Sequence, residues 1–150
     1  MSSKRFHIAE VLSIATQIAL PSPGREYVIE GIHAVLDHMC GRSIFTHEFP
    51  EAYALCRPAL LKQFPIMSDP VFEWKTQMYR RELSHMDDDD KLRQCENITF
   101  QMQVLFGLPE FVDVEALPEG AWKSVSIEEA FGKKPVLRVD LPAVEEDQNG

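Results

Sequence analysis

The 150-residue sequence has no stretch approaching the roughly 18 apolar residues a helix needs to cross a bilayer. It has no Cys-x-x-Cys pair, which excludes a zinc ribbon and a thioredoxin-type redox motif. No phosphate-binding glycine loop, nucleophile elbow or His-Glu-x-x-His zinc motif is present. With only seven glycines in the chain, a loop that cradles a cofactor has little to be built from, and no cofactor is expected. Clustered basic residues are scarce too; the nearest approach is Arg80-Arg81 with Lys75. The formal net charge is -9. Residues 1–110 carry 11 basic and 15 acidic side chains, and residues 111–150 carry 4 and 9, so the acidity is densest at the C-terminal end. That balance opposes direct binding to nucleic acid or to an anionic membrane surface.

What is present is the composition of an ordinary globular chain, 45% apolar and 26% charged. The length suits one domain with one core. The three cysteines, Cys40, Cys56 and Cys95, are widely spaced in apolar helical contexts and read as small, reduced core residues. Glu10 and Gln17 interrupt the apolar residues after the basic N-terminus, so a secretory signal is not expected and the chain reads as cytoplasmic. Asn97-Ile98-Thr99 then matches a glycosylation acceptor only by chance.

The pattern along the chain predicts an α+β fold, mainly helical over 7–107, with a small strand–helix–strand element over 110–141. Residues 1–144 are expected to form one domain, followed by an acidic tail over 145–150 expected to be disordered. A helix over about 7–17 places Ile8, Val11, Leu12 and Ala15 on one face, and Pro21 to Gly24 break it. A second helix is expected from Ser22 as N-cap, with Pro23 in the first turn, to Gly41. Its stripe is Val28, Ile32, Val35, Leu36 and Met39. A third helix opens at Pro50, kinks or splits at Pro58 and stops at Pro65. A fourth starts at Ser68-Asp69-Pro70 with Val71, Trp74, Met78 and Leu83 inward. A fifth carries Leu92, Cys95, Ile98, Met102, Leu105 and Phe106 and ends at Gly107. Phe111–Leu117 and Pro135–Leu141 alternate apolar and polar residues as strands do. A short helix opened by the capping box Ser126–Glu129 stands between them. Two strands alone are marginal, so they must pack on the helices or on a partner.

Three groups invite chemistry, and each has a plainer structural reading. Glu30, His33 and Asp37 share one helix face and could offer metal ligands, but nothing completes a cage and i, i+4 pairing accounts for them. Asp87, Asp88, Asp89 and Asp90 lack the alternate spacing of a calcium loop and suit the N-terminus of the fifth helix. Phe45-Thr46-His47-Glu48-Phe49-Pro50 sets a histidine beside a hydroxyl and a carboxylate. It reads as a turn in which Thr46 or His47 caps the third helix between two buried phenylalanines. Glu115, Glu119, Glu128 and Glu129 join Asp87–Asp90 as acidic positions able to meet a basic partner.

The segments Leu12-Ser-Ile-Ala-Thr16, Phe45-Thr-His-Glu-Phe-Pro50 and Cys56-Arg-Pro58 followed by Leu60-Leu61 resemble a family of small bacteriophage and prophage proteins of unknown function. Thr46, His47, Pro50 and Cys56 carry the shared pattern; Glu48 and Phe49 depart from it, the family's connector reading more like Phe-Thr-His-Gln-Leu-Pro. The resemblance covers roughly residues 8–65, with a looser echo in the C-terminal strand–helix–strand, and it supplies no catalytic residues. It implies a phage accessory protein in the bacterial host cytoplasm. Together with the acidity it leads to an expected stoichiometric binder of a host complex, in the manner of an anti-CRISPR inhibitor. A small metal-dependent hydrolase built on His33 or His47 is the alternative from another class. A self-assembling or phage structural protein, including a homodimer that extends a sheet through its strands, is the third.

Overall fold

Nine consecutive residues, Ile8–Thr16, are all buried, and the rest of the fold is built around them. The description covers residues 2–122 of a computed structural model. The expected helix near 126–132, the strand Pro135–Leu141, the tail 145–150 and the positions Glu128 and Glu129 lie outside the described residues.

The element order is β1 (Ser3–His7), α1 (Ile8–Thr16), α2 (Val28–Cys40), α3 (Phe49–Gln63), α4 (Pro70–Leu83), α5 (Asp88–Phe106) and β2 (Phe111–Glu115), with 3-10 turns at Thr46–Glu48 and Pro65–Ser68. The described residues are therefore mostly helical with a small sheet, the α+β class expected, and the sheet is antiparallel. The sheet differs from expectation, because β2 pairs with the N-terminal strand, from Ser3 opposite Glu115 to His7 opposite Phe111. β1 carries Lys4, Arg5 and His7 around one buried apolar residue, Phe6, and this short polar pattern gave no strand signal. The helix expected from His7 accordingly begins at Ile8, with the His7 ring as its cap, Nδ1 accepting from the amide of Ala9 at 3.0 Å.

Burial of α1 on all sides requires its polar side chains to find partners. Ser13 Oγ donates to the Ala9 carbonyl and accepts from the Leu20 amide, at 2.8 and 2.9 Å. Thr16 Oγ1 donates to the Leu12 carbonyl and accepts from the Ile18 amide, at 2.7 and 3.1 Å. These bonds fold the chain sharply back beyond Gln17, which takes the left-handed conformation at φ 60°. Arg57 of α3 donates through Nε and Nη2 to the Ala15 carbonyl, at 3.0 and 2.8 Å, placing a cation at the negative end of α1.

The remaining boundaries follow local chemistry with some corrections. α2 ends at Gly41 in the left-handed position as expected, but it starts at Val28 rather than Pro23. Its N-terminus is closed by Glu30, which accepts from the amides of Glu26 and Tyr27, and Ser22 is committed elsewhere. α3 runs through Pro58 as one helix. Asp69 caps α4 and Asp87 caps α5, each by accepting a backbone N–H. Inward on α4 are Phe72, Thr76, Tyr79 and Leu83, while Val71 and Trp74 are exposed, so of the expected stripe only Leu83 is buried. On α5, Ile98 and Met102 are buried as expected, whereas Leu92 and Leu105 are exposed. The two helices lie antiparallel, with Phe72 against Phe106 (ring centroids 5.0 Å apart) and the Tyr79 hydroxyl donating to Gln101 Oε1 at 2.6 Å.

Candidate interaction surface

The acidic and histidine groups singled out in the sequence are placed by local structure. Glu30 serves the start of α2, as described. Asp37 Oδ1 accepts the Ile44 amide at 2.8 Å and stands 3.9 Å from His33 Nδ1. The His33 ring lies edge-on to Phe49, with centroids 4.5 Å apart. Glu30, His33 and Asp37 thus serve separate purposes, and among the described residues no three His, Cys, Asp or Glu side chains gather as metal ligands.

In the connector, Glu48 rather than Thr46 or His47 occupies the N-cap position of α3, and its side chain closes the 3-10 turn that precedes the helix. Glu48 is only 4% exposed, and its Oε1 accepts the Phe45 amide at 2.9 Å. The turn exposes Phe45, which stacks on the His47 ring at an interplanar angle of 7°, so only Phe49 of the two phenylalanines packs toward the core. Pro50 occupies the first turn of α3, and Cys56 is fully buried.

Asp87 through Asp90 are exposed at the turn from α4 into α5, and Asp90 also pairs with Arg93. Glu115 and Glu119 are exposed near the end of the sheet. The Glu115 backbone is held on both sides of its peptide by the Gln63 amide: Nε2 donates to its carbonyl at 3.0 Å and Oε1 accepts its N–H at 2.9 Å. A side chain thereby takes the place of a further strand at that point of β2, which opposes sheet extension there.

Two arrangements had only faint sequence signals. Glu10, in the middle of α1, is 3% exposed. Its Oε2 accepts from Ser22 Oγ at 3.0 Å and from Arg25 Nε at 2.7 Å. The Glu10 carboxylate raises the Arg25 pKa above its ordinary value. This node fixes the loop 21–25 against α1, beside hollows of about 490 and 320 Å³ that share His7, Ser22, Pro23, Gly24 and Arg25. A lone glutamate interrupting an apolar helix was the visible hint. The second arrangement joins Cys40 and Cys56, whose sulfurs lie 3.4 Å apart although 16 positions separate them in sequence. The Cys56 thiol donating to Cys40 lowers the Cys40 pKa, and the same bond together with burial raises that of Cys56.

The described residues also expose large apolar side chains on the outer helices. Six of the eleven large hydrophobic side chains exposed among the described residues stand on the α4–α5 pair: Val71, Trp74, Leu92, Phe100, Val104 and Leu105. Trp74 is 60% exposed and Phe100 67%. Val71, Trp74 and the half-buried Met78 follow one another at helical spacing on the outer side of α4, and Phe100 with Val104 does so on α5. Phe100 also borders the larger hollow beside loop 21–25.

Residues 6–69 match a family described as a domain of unknown function (DUF7736), a description that assigns no activity. No curated protein and no solved structure matches the chain. The matched stretch ends at Asp69, the cap of α4. It contains the buried helix α1, the Glu10 node and the Cys40–Cys56 pair, while the exposed surface of α4 and α5 lies wholly beyond it. Among the described residues no helix is long and apolar enough to cross a membrane.

Proposed function

We propose that the protein acts by stoichiometric binding to a partner protein through the outer surface of α4 and α5. The exposure of Trp74 and Phe100, each with an apolar neighbour one turn away, is the observation that carries this reading. Aromatic anchors of this kind dominate protein interfaces because they fill a partner's pocket at small entropic cost. The four aspartates at the turn between the two helices add a negative rim, which suits a partner whose apolar pocket is bordered by Lys or Arg. The resemblance of residues 8–65 to phage and prophage proteins supports a bacterial host complex as the partner. The net charge of -9 suits a basic cleft such as defence or nucleic-acid-handling machines present.

The test is retention of a host protein from lysate at low salt on immobilised wild type, Trp74→Ser and Phe100→Ser proteins. The reading requires a partner held in stoichiometric amount by the wild type and lost by both folded variants. Equal retention by all three proteins, or none by the wild type, removes it. Light scattering on the same proteins separates this outcome from self-association, in which wild type alone would dimerise.

A further inference from the structure

We propose that Cys40 and Cys56 form a reversible dithiol–disulfide pair that responds to peroxide. The geometry supplies the argument. Cys40 is the last residue of α2 and Cys56 lies within α3, yet their sulfurs are 3.4 Å apart with both thiols free. A disulfide requires about 2.05 Å between sulfurs, so small side-chain and backbone adjustments at one helix end bring the pair to bonding distance. Cys95, on α5, has no such neighbour among the described residues.

The two thiols are unequal in a way that orders the chemistry. Cys40 is partly exposed and Cys56 fully buried, so an oxidant in solvent meets Cys40 first. The S–H of Cys56 favours the Cys40 thiolate most, with a smaller contribution from Arg42 two residues on, against partial burial and the charges of Asp37 and Glu48. The Cys40 thiolate attacks one oxygen of hydrogen peroxide. The O–O bond breaks, the leaving hydroxide takes a proton to become water, and Cys40 becomes a sulfenic acid. The Cys56 sulfur then attacks the Cys40 sulfur, the S–O bond breaks, and the departing hydroxide takes the Cys56 proton as a second water. Two thiols are oxidised by two electrons and one peroxide is reduced to two waters. A small dithiol reverses the step by exchange.

The resulting bond ties the end of α2 to α3 across the connector that carries Phe45 and His47. The same α2 end holds β2, since the Met39 carbonyl accepts the Leu117 amide at 2.9 Å and His38 Nε2 donates to the Val114 carbonyl at 2.7 Å. Oxidation is therefore positioned to stiffen the connector and the seat of β2 together.

The experiment exposes the full reduced chain to dilute hydrogen peroxide, alkylates it with N-ethylmaleimide and weighs it intact. Circular dichroism confirms that it stays folded. The expected product has lost two hydrogens and retains one alkylatable thiol, peptide mapping joins Cys40 to Cys56, and dithiothreitol restores all three thiols. Cys95→Ser must form the same bond, and Cys56→Ser must instead leave a Cys40 sulfenic acid that dimedone captures. Three alkylatable thiols in folded, peroxide-treated protein, or cross-links that run through Cys95 or between chains, overturn the proposal.

Discussion

Glu10 and Arg25 join the centre of the buried helix to the loop that follows it, with Arg25 Nε 2.7 Å from Glu10 Oε2. The pair is lopsided, since the Glu10 side chain is enclosed while the Arg25 side chain remains about a third exposed. Such a pair adds modestly while intact, because solvent screens the arginine. It becomes costly when one partner is removed, because the carboxylate is left in the core.

Replacing Arg25 by Met is thus expected to lower stability by about 2 kcal/mol, a figure reduced from the usual cost of orphaning a buried charge because Ser22 still donates to Glu10. The loss should shrink in the double variant Glu10→Gln with Arg25→Met, since the orphaned charge is gone. Urea denaturation of the four proteins of this cycle measures the coupling. Equal losses in the single and double variants would show that the pair is not the source.

Gly31 of α2 owes its identity to the same glutamate. A Cβ at this position would lie 2.8 Å from both Cγ and Oε2 of Glu10, and Glu10 cannot retreat because Ser22 and Arg25 hold it. Gly31→Ala is expected to cost about 1–3 kcal/mol by overpacking, despite the better helix propensity of alanine. The added cost of Gly31→Ala should largely vanish in a Glu10→Ala background, and urea midpoints in the two backgrounds check it.

These particulars show where the sequence was legible. Helix ends governed by local backbone chemistry could be read directly: Gly41 as a C-terminal stop, and the segments Ser68–Pro70 and Asp87–Asp90 as helix starts, within which the structure picks Asp69 and Asp87 as the caps. Helix existence was equally plain from apolar spacing. The inward face of α4 was misassigned because two stripes compete there: Val71, Trp74 and Met78 recur as regularly as Phe72, Tyr79 and Leu83, and only tertiary packing chooses between them. That ambiguity is also what hid the proposed interface, since an exposed stripe looks like a core stripe in one dimension. β1 was missed because pairing with residues over a hundred positions away leaves no local trace. The contacts Glu10–Arg25 and Cys40–Cys56 depend on how α1, α2 and α3 cross, which periodicity does not specify.

Alkaline pH is expected to destabilise the fold. Burial raises the pKa values of Cys95, Tyr53 and Tyr79, and the bond to Cys40, with burial, raises that of Cys56. Above the ordinary thiol and phenol values of 9.0 and 10.0 the folded chain then binds more protons than the unfolded one, so unfolding free energy falls as pH rises. The contribution is complete below those values and is lost as pH climbs past them. Cys40, whose pKa is lowered, acts in the opposite sense as the lone dissenter among these groups. Urea midpoints under reducing conditions should therefore decline between about pH 8 and about pH 11, and Tyr53→Phe should flatten the decline. A midpoint that rises over this interval would contradict the assigned directions.

Oxidation of Cys40 and Cys56 should raise thermal stability, because the bond restricts the unfolded chain. The cysteines are 16 positions apart, and closing a loop of about 15 residues is worth up to about 3 kcal/mol from chain entropy before any native strain is subtracted. For a chain of this size, that corresponds to a Tm increase on the order of several degrees. Differential scanning calorimetry of peroxide-treated and dithiothreitol-treated protein measures it, with Cys56→Ala as the control that should show no such increase. A lower Tm in the cross-linked protein would mean that the bond strains the crossing of α2 and α3. The cross-link would then favour opening of the connector rather than its closure, reversing the direction in which peroxide acts on the fold.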